Sequence, residues 1–103
     1  MLDQLKLNKF ISIDLETTGL SIESDKITEI SAILFQDGQE VDNFTALVNP
    51  MIGIPGHIEA LTGITNTMVK GKPTVDNVSK DLIDFIGKNP IVGQNIQFDI
   101  NFL

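Results

Sequence analysis

Several residue types are absent from this chain of 103 residues, and each absence narrows what the chain can do. Cysteine is absent, which excludes a disulfide framework and thiolate-bound zinc and is in keeping with a reducing compartment. No apolar run approaches the roughly 18 residues of a membrane span, and the first residues lack the basic flank of a signal peptide. We therefore expect a cytoplasmic protein with no membrane partner.

Arginine is also absent, and seven lysines stand against 14 acidic residues, which gives a formal net charge of −7. Sequence-independent binding of nucleic acid usually depends on lysine and arginine at the phosphates, so this balance argues against it. The argument weakens for a protein that holds divalent cations on its carboxylates, because bound cations present positive charge to a phosphate. Charge alone therefore leaves nucleic acid open as a partner.

The hydrophobic content of 42% is ordinary for a globular protein, and the length permits one domain with a modest core. Strand patterns cover residues 10–15, 27–35 and 40–48, and Asp37 with Gly38 is a hairpin signal between the second and the third. Three consecutive strands joined by short connections predict an antiparallel meander.

The second half of the chain predicts helices and one more strand. Residues 50–73 are rich in glycine and proline, which is typical of a loop with short helices. Apolar residues recur at helical spacing over 74–87, where Thr74 can cap the helix and Gly87 can end it. Residues 91–92 then form a short strand, parallel to a strand of the meander because a crossover helix precedes it. The predicted fold class is α/β, with a mixed sheet and helices.

Asp14 and Glu16 are two carboxylates one residue apart in an apolar strand, and both project from the same side of it. Such pairs usually only solvate the outer face of a sheet, but here the flanking residues suit a central strand, where like charges need a counter-charge. Thr17, Thr18 and Gly19 follow as a compact loop, with Gly19 free to take a positive φ and let a ligand approach. The pair therefore predicts a cation site.

A second group of polar residues, which includes Asn95 and Asp99, follows the short strand at 91–92. Taken alone, Asn95 can cap a helix, Asp99 can favour its positive end and Phe98 can anchor it in the core. Chemistry in mixed sheets also gathers at strand ends, where these residues can meet Asp14. The residues by themselves leave both interpretations open.

Together the two groups resemble the motifs of the DEDD superfamily of 3′→5′ exonucleases, of the DEDDh type. The similar branch includes the proofreading epsilon subunit of bacterial DNA polymerase III and polymerase-attached exonuclease domains. Asp-x-Glu-Thr-Thr-Gly-Leu near the start and Asn-x-x-Phe-Asp near the other end rarely coincide by chance. The resemblance covers nearly the whole chain and implies a ribonuclease-H-like fold and metal-dependent hydrolysis of phosphodiester bonds at DNA 3′ ends.

By this resemblance, Asp14, Glu16 and Asp99 are the catalytic residues and the ligands of two Mg²⁺ or Mn²⁺ ions, which prefer oxygen ligands. Leu20 is implied to support the last base, and Ile64 to wedge between bases. The whole implied substrate-binding set is Thr17, Thr18, Gly19, Leu20, Ile64, Asn95 and Phe98.

The chain departs from the family pattern in two ways. Gln94 precedes Asn95 where family members often have histidine, and the third motif, a histidine and a fourth aspartate on a later helix, has no match. A helix beginning at Phe98 would reach Leu103 after about six residues, against a usual eleven or so. We therefore expect 1–103 to be the C-terminally truncated, N-terminal portion of a single exonuclease domain, nearly inactive by itself. His57 is expected in a surface loop and not as a general base.

Three functions remain open on these residues. The resemblance favours a proofreading-type exonuclease on single-stranded or frayed DNA ends, associated with a DNA polymerase subunit or fused to one. Relatives in the superfamily also act on RNA ends, so an exoribonuclease is the first alternative. A non-catalytic module that binds nucleic acid or a partner on the same fold is the second.

Overall fold

The computed structural model describes residues 8–21 and 23–92. Strands come first along the chain, followed by three helices and a last short strand. The elements are β1 (Lys9–Thr17), β2 (Ile27–Gln36), β3 (Gln39–Leu47), α1 (Gly56–Thr62), α2 (Asn66–Val69), α3 (Val75–Ile86) and β4 (Ile91–Val92). None of the helices in these two ranges is long and apolar enough to cross a membrane.

The four strands form one mixed sheet in the order β3-β2-β1-β4. β1 to β3 are the predicted antiparallel meander, and β4 pairs with β1 in parallel through Ile11 with Ile91 and Ser12 with Val92. Asp37 (φ 54°) and Gly38 (φ 82°) make the tight hairpin turn between β2 and β3, as their types predict. The predicted mixed sheet is confirmed, and β1 lies in its interior.

The main core lies between the sheet and α3. Ile11 and Ile13 of β1 and Ile30 of β2 are buried against Val78 and Leu82 of α3. Since strand side chains alternate, this packing fixes the faces of β1: Ile11 and Ile13 point toward α3, and the intervening residues point away from it. Asp14 and Glu16 follow the same alternation as these intervening residues, so both point away from α3.

Helix α3 lies where the sequence predicts it, but Thr74 caps its start in a different way from the predicted one. Thr74 occupies the N-cap with an extended backbone, and its carbonyl accepts hydrogen bonds from the backbone N–H groups of Asn77 and Val78. Its hydroxyl makes no cap hydrogen bond, so the predicted side-chain cap is wrong. Gly87 ends the helix at φ 56°, a conformation that glycine adopts without strain.

A smaller apolar cluster, formed by Ile54, Ile64 and Val69, holds the predicted short helices together. The side chain of Asn66 pairs with the backbone of Ile54 on both sides: Oδ1 accepts from the Ile54 N–H at 2.7 Å, and Nδ2 donates to its carbonyl at 3.1 Å. Glu59 of α1 accepts from the same Asn66 amide at 3.0 Å. These bonds fix α1, α2 and the chain before them as one unit.

Thr28 of β2 is a buried polar residue, 1% exposed, whose hydroxyl has no hydrogen-bond partner among the residues that the structure describes. Thr28→Val keeps the shape and removes the unpaired hydroxyl, so we expect it to raise the free energy of unfolding by about 1 kcal/mol. Denaturant unfolding of the purified chain measures this, with Thr28→Ser as the control that keeps the hydroxyl. A less stable Thr28→Val protein would mean that the hydroxyl does have a partner.

Candidate active site

Asp14 and Glu16 lie on the face of β1 that is turned away from α3. Asp14 is exposed and pairs across the sheet with Ser31, while Glu16 is half-buried and pairs with Glu29. The antiparallel register shifts between Glu16 and Thr17, so the strand becomes irregular directly after the second carboxylate. The structure thus brings the two predicted carboxylates to one face at the end of β1.

The pKa of Glu16 is raised above its ordinary value of 4.5. Burial is the largest cause, followed by repulsion from Asp14 and then from Glu29. The carboxylate thus lies where negative charge is disfavoured and a nearby cation would be favoured. Glu29 was not among the predicted site residues; the signal that could have found it is a lone charge within the apolar run of β2.

The donor set fits a hard divalent cation. Asp14 and Glu16 offer carboxylate oxygens only, which suit Mg²⁺ or Mn²⁺ better than a metal that prefers nitrogen or sulfur. Residues 8–21 and 23–92 contain no group of three side chains that could enclose an ion. The predicted third ligand, Asp99, and the predicted substrate residues Asn95 and Phe98 lie outside the described residues.

The loop after β1 carries Leu20 at its tip, with 83% of the side chain exposed. Thr17 begins the loop, and its hydroxyl donates a hydrogen bond to the Gly19 carbonyl. The Thr17 oxygen is left with lone pairs that can accept from another donor. Leu20 is therefore accessible to a ligand, on a loop that follows the two carboxylates directly in the chain.

Thr18 is only 1% exposed, and its hydroxyl is already fully engaged. It donates to Asp25 Oδ1 at 2.9 Å and accepts from the Lys26 N–H at 3.0 Å. The backbone N–H of Thr18 also donates to the Lys26 carbonyl at 2.8 Å. The side chain of Thr18 thus faces inward, where it ties the two ends of the loop to each other.

The sequence predicts that Gly19 lets a ligand approach the backbone. In the structure the group that approaches it is the carboxylate of Asp25. It does not adopt a positive φ, so backbone freedom is not its use here. A Cβ on Gly19 would lie 2.8 Å from Cγ of Asp25 and closer still to Oδ2, which no real Cβ tolerates. The Asp25 carboxylate packs directly on the Gly19 backbone, so a larger residue at position 19 would force that carboxylate to move.

The segment 61–65 exposes a different apolar residue from the predicted one. Ile64, expected to wedge between bases, is 4% exposed and packs with Ile54 and Val69, so little of its side chain is available to a ligand in this arrangement. Leu61 is 79% exposed. Both residues are apolar within one short segment, and only the tertiary packing decides which of them is buried.

Two further features lie away from the carboxylates. His57 is exposed, as predicted, although on α1 and not in a loop. A cleft of about 370 Å³ opens between the end of β3 and the start of α3, with Val48 and Thr74 in its lining. Asp14 and Glu16 do not line this cleft.

Comparison with known proteins identifies relatives over nearly the whole sequence. The family model described as Exonuclease, which carries the name RNase T, matches residues 11–103. DNA polymerase III PolC-type of Clostridium perfringens is 42% identical over 93% of this chain and 7% of its own length. DNA polymerase III subunit epsilon of Aquifex aeolicus is 38% identical over 100% of this chain and 51% of its own. The chain thus spans a small part of the first relative and about half of the second.

Solved structures of exonucleases resemble this chain in fold. Exonuclease X in complex with 5′ overhanging duplex DNA is 32% identical, with a TM-score of 0.77 over 91% of this chain and 53% of that one. Exonuclease I in complex with an inhibitor has a TM-score of 0.79 over 92% of this chain and 23% of its own, at 19% identity, and so supports the fold alone. The ribonuclease-H-like fold expected from the sequence is confirmed.

The difference in burial between Ile64 and Leu61 predicts a difference in how much each side chain contributes to the free energy of unfolding. Ile64→Ala empties a buried position and should lower the free energy of unfolding by about 2–5 kcal/mol. Leu61→Ala removes an exposed side chain and should change it by less than about 0.5 kcal/mol. Denaturant unfolding of the two variants decides, and equal losses for both would contradict the assigned packing.

The raised pKa of Glu16 predicts a stability that depends on pH. The folded chain binds this proton more tightly than the unfolded chain, so the charged carboxylate destabilises the fold above its raised pKa. The penalty fades as the pH falls through that pKa toward the ordinary value of 4.5 and below. Glu16→Gln should therefore unfold at higher denaturant than the unchanged chain at pH 7, in the presence of a chelator, and the gap should close toward pH 4.

Glu23→Gln is the matched control, because it removes the same charge from an exposed residue of the loop. It should not reproduce the gain at pH 7. A Glu16→Gln protein less stable than the unchanged chain at neutral pH would contradict the burial and charge repulsion that raise the pKa of Glu16.

Proposed function

Because the chain belongs to the RNase T exonuclease family, we propose that it carries the metal-binding and end-binding residues of a 3′→5′ exonuclease acting on DNA. The observation that carries this proposal is the placement of Asp14 and Glu16 on one face of β1, directly before a loop that exposes Leu20. Two carboxylates on one strand face repel each other unless a cation is bound, so their placement favours a metal-binding role over a purely structural one.

We propose that Asp14 and Glu16 hold divalent cations together with Asp99. When bound, such ions would activate a water molecule for attack and stabilise the negative charge on the leaving oxygen of a phosphodiester. Asp14, which is exposed, offers its carboxylate to the solvent side, and Glu16 offers one from a half-buried position. Burial, and then repulsion from Asp14 and Glu29, raise the pKa of Glu16, and the repulsion favours a cation at this place.

The loop after β1 suits the 3′ end of a strand. The 3′-hydroxyl of a nucleotide can donate a hydrogen bond, and Thr17 Oγ1 keeps a free lone pair because its own proton goes to Gly19. Leu20 offers an exposed apolar surface on which the terminal base can rest. Thr18 and Gly19 belong to the same loop and support it through their packing, and Asn95 and Phe98 complete the proposed substrate set.

DNA is the favoured substrate, because the relatives are named DNA polymerase III and a solved neighbour is described with duplex DNA. The same names support a place beside a DNA polymerase, as a subunit or a fused domain, and a role in proofreading. The family's third motif finds no match in 1–103, so we propose that these residues form the N-terminal portion of the exonuclease domain. Measured on 1–103 alone, activity should be close to zero, since each lost acid–base group costs about 10²–10⁴-fold.

Metal binding is the first test, since it does not require turnover. Titrating the chain with Mn²⁺ should broaden the NMR signals of Asp14, Glu16 and their strand neighbours before others. Asp14→Asn combined with Glu16→Gln should abolish the broadening, and Asp84→Asn, an exposed carboxyl on α3, should leave it unchanged. Absence of any effect at millimolar Mn²⁺ would overturn the metal site.

Activity is the second test, measured on the longest form of the protein that its gene encodes. Single-stranded DNA should be shortened from the 3′ end only with Mg²⁺ or Mn²⁺ present, and Asp14→Asn should lower the rate by at least about a hundredfold. Faster degradation of the matching oligoribonucleotide would replace the DNA assignment by the RNA one. Binding of either strand without cleavage would favour the non-catalytic module.

A further inference from the structure

We propose that Asp25 is a positioning residue for the end-binding loop: its carboxylate fixes the backbone of residues 18–21, so that Leu20 is held in place for the terminal nucleotide. The inference deepens the proposed function and rests on it. Asp25 lies seven residues from Thr18 and belongs to neither of the two motifs.

The hydrogen bonds of Asp25 connect both sides of the loop tip. Oδ1 accepts from the Thr18 hydroxyl at 2.9 Å, and Oδ2 accepts from the Ser21 N–H at 3.0 Å. The backbone N–H of Asp25 donates to the Ser21 carbonyl at 2.8 Å. One carboxylate therefore holds the residue before Gly19 and the residue after Leu20 at the same time.

The exposed leucine depends on this link, because its own side chain has little packing to hold it. Leu20 is 83% exposed, whereas Thr18 is 1% exposed. Between them Gly19 lies so close to Asp25 that a Cβ would clash with the carboxylate. The carboxylate thus both bonds to the loop and packs against it, and Leu20 projects from a backbone that is fixed on either side.

Asp25 acts through the loop and not on the metal. Its two oxygens are engaged by Thr18 and Ser21, and the structure assigns it to no group of three potential metal ligands within residues 8–21 and 23–92. Asp14 and Glu16 are held separately by the pairing of β1 with β2. Loss of Asp25 should therefore weaken nucleotide binding and leave cation binding intact.

The geometry also distinguishes aspartate from asparagine. The Thr18 hydroxyl already accepts from the Lys26 N–H, so its proton needs an acceptor. A carboxylate offers acceptors on both oxygens, while an amide offers one oxygen and one NH₂ group. Asp25→Asn can keep the Ser21 bond but loses the acceptor for Thr18, and Asp25→Ala loses both. Thr18→Val removes the same bond from the other partner.

The experiment is an NMR titration of the chain with a deoxynucleoside 5′-monophosphate in the presence of Mg²⁺, followed at the Leu20 methyl signals. We expect Asp25→Ala to weaken binding at least about tenfold, equivalent to about 1.4 kcal/mol, with Asp25→Asn and Thr18→Val intermediate. Asp84→Asn, which removes an exposed charge from α3, should bind as the unchanged chain does. Mn²⁺ broadening at Asp14 and Glu16 should remain in all four variants, a result that general unfolding would not give.

Binding to Asp25→Ala equal to that of the unchanged chain would overturn the inference and leave the proposed function standing. If Asp25→Ala does not fold, Asp25→Asn and Thr18→Val decide, and unchanged binding in both overturns it equally. Loss of Mn²⁺ broadening in folded variants would show that Asp25 acts on the metal site and would contradict the positioning role. An unchanged chain that binds neither Mn²⁺ nor nucleotide would overturn the proposed function, and the inference with it.

Discussion

The alternation of side chains along β1 is the constraint on which the rest of the structure depends. Ile11 and Ile13 are buried against α3, and a shift of one residue in the pairing with β2 would turn them to the other face. The same shift would bury Asp14 and Glu16 without partners. Core packing and site geometry thus select one register, and neither can change without the other.

The charge of Glu16 in the candidate site destabilises the fold, whereas the apolar core stabilises it. Glu16 has a raised pKa because it is partly buried beside Asp14 and opposite Glu29, so its charge is held at a cost in the metal-free chain. A cation on these oxygens would turn the repulsion into attraction, and binding would then stabilise the fold by mass action. The same negative charges that destabilise the metal-free chain would attract a cation.

Much of the fold could be predicted from sequence because it depends on local patterns. Period-two runs gave β1 to β3, helical spacing gave α3, and Asp37 with Gly38 gave the hairpin turn. The carboxylate pair could be placed on one face for the same reason, since strand geometry alone decides it.

The details that sequence reasoning missed depend on contacts between distant residues. Nothing local distinguishes Leu61 from Ile64; the difference arises because Ile54 and Val69 close over Ile64. From sequence, Thr18 is typical of an exposed loop and Gly19 of a turn. In the structure the Thr18 hydroxyl is hydrogen-bonded to Asp25 and Lys26, and the Asp25 carboxylate packs on Gly19. Glu29 joins the site only through the β1–β2 register.

The two parts of the site are therefore held by different forces. Asp14 and Glu16 lie on a strand fixed by backbone pairing and a buried apolar face, so we expect a side-chain substitution in the loop to leave them in place. Leu20 stands on a loop fixed by a few hydrogen bonds around Thr18 and Asp25. If the proposed function holds, the loop can lose affinity for a nucleotide while the carboxylates stay in place. Because different elements hold the two parts, we expect affinity for the cation and affinity for the strand end to change independently.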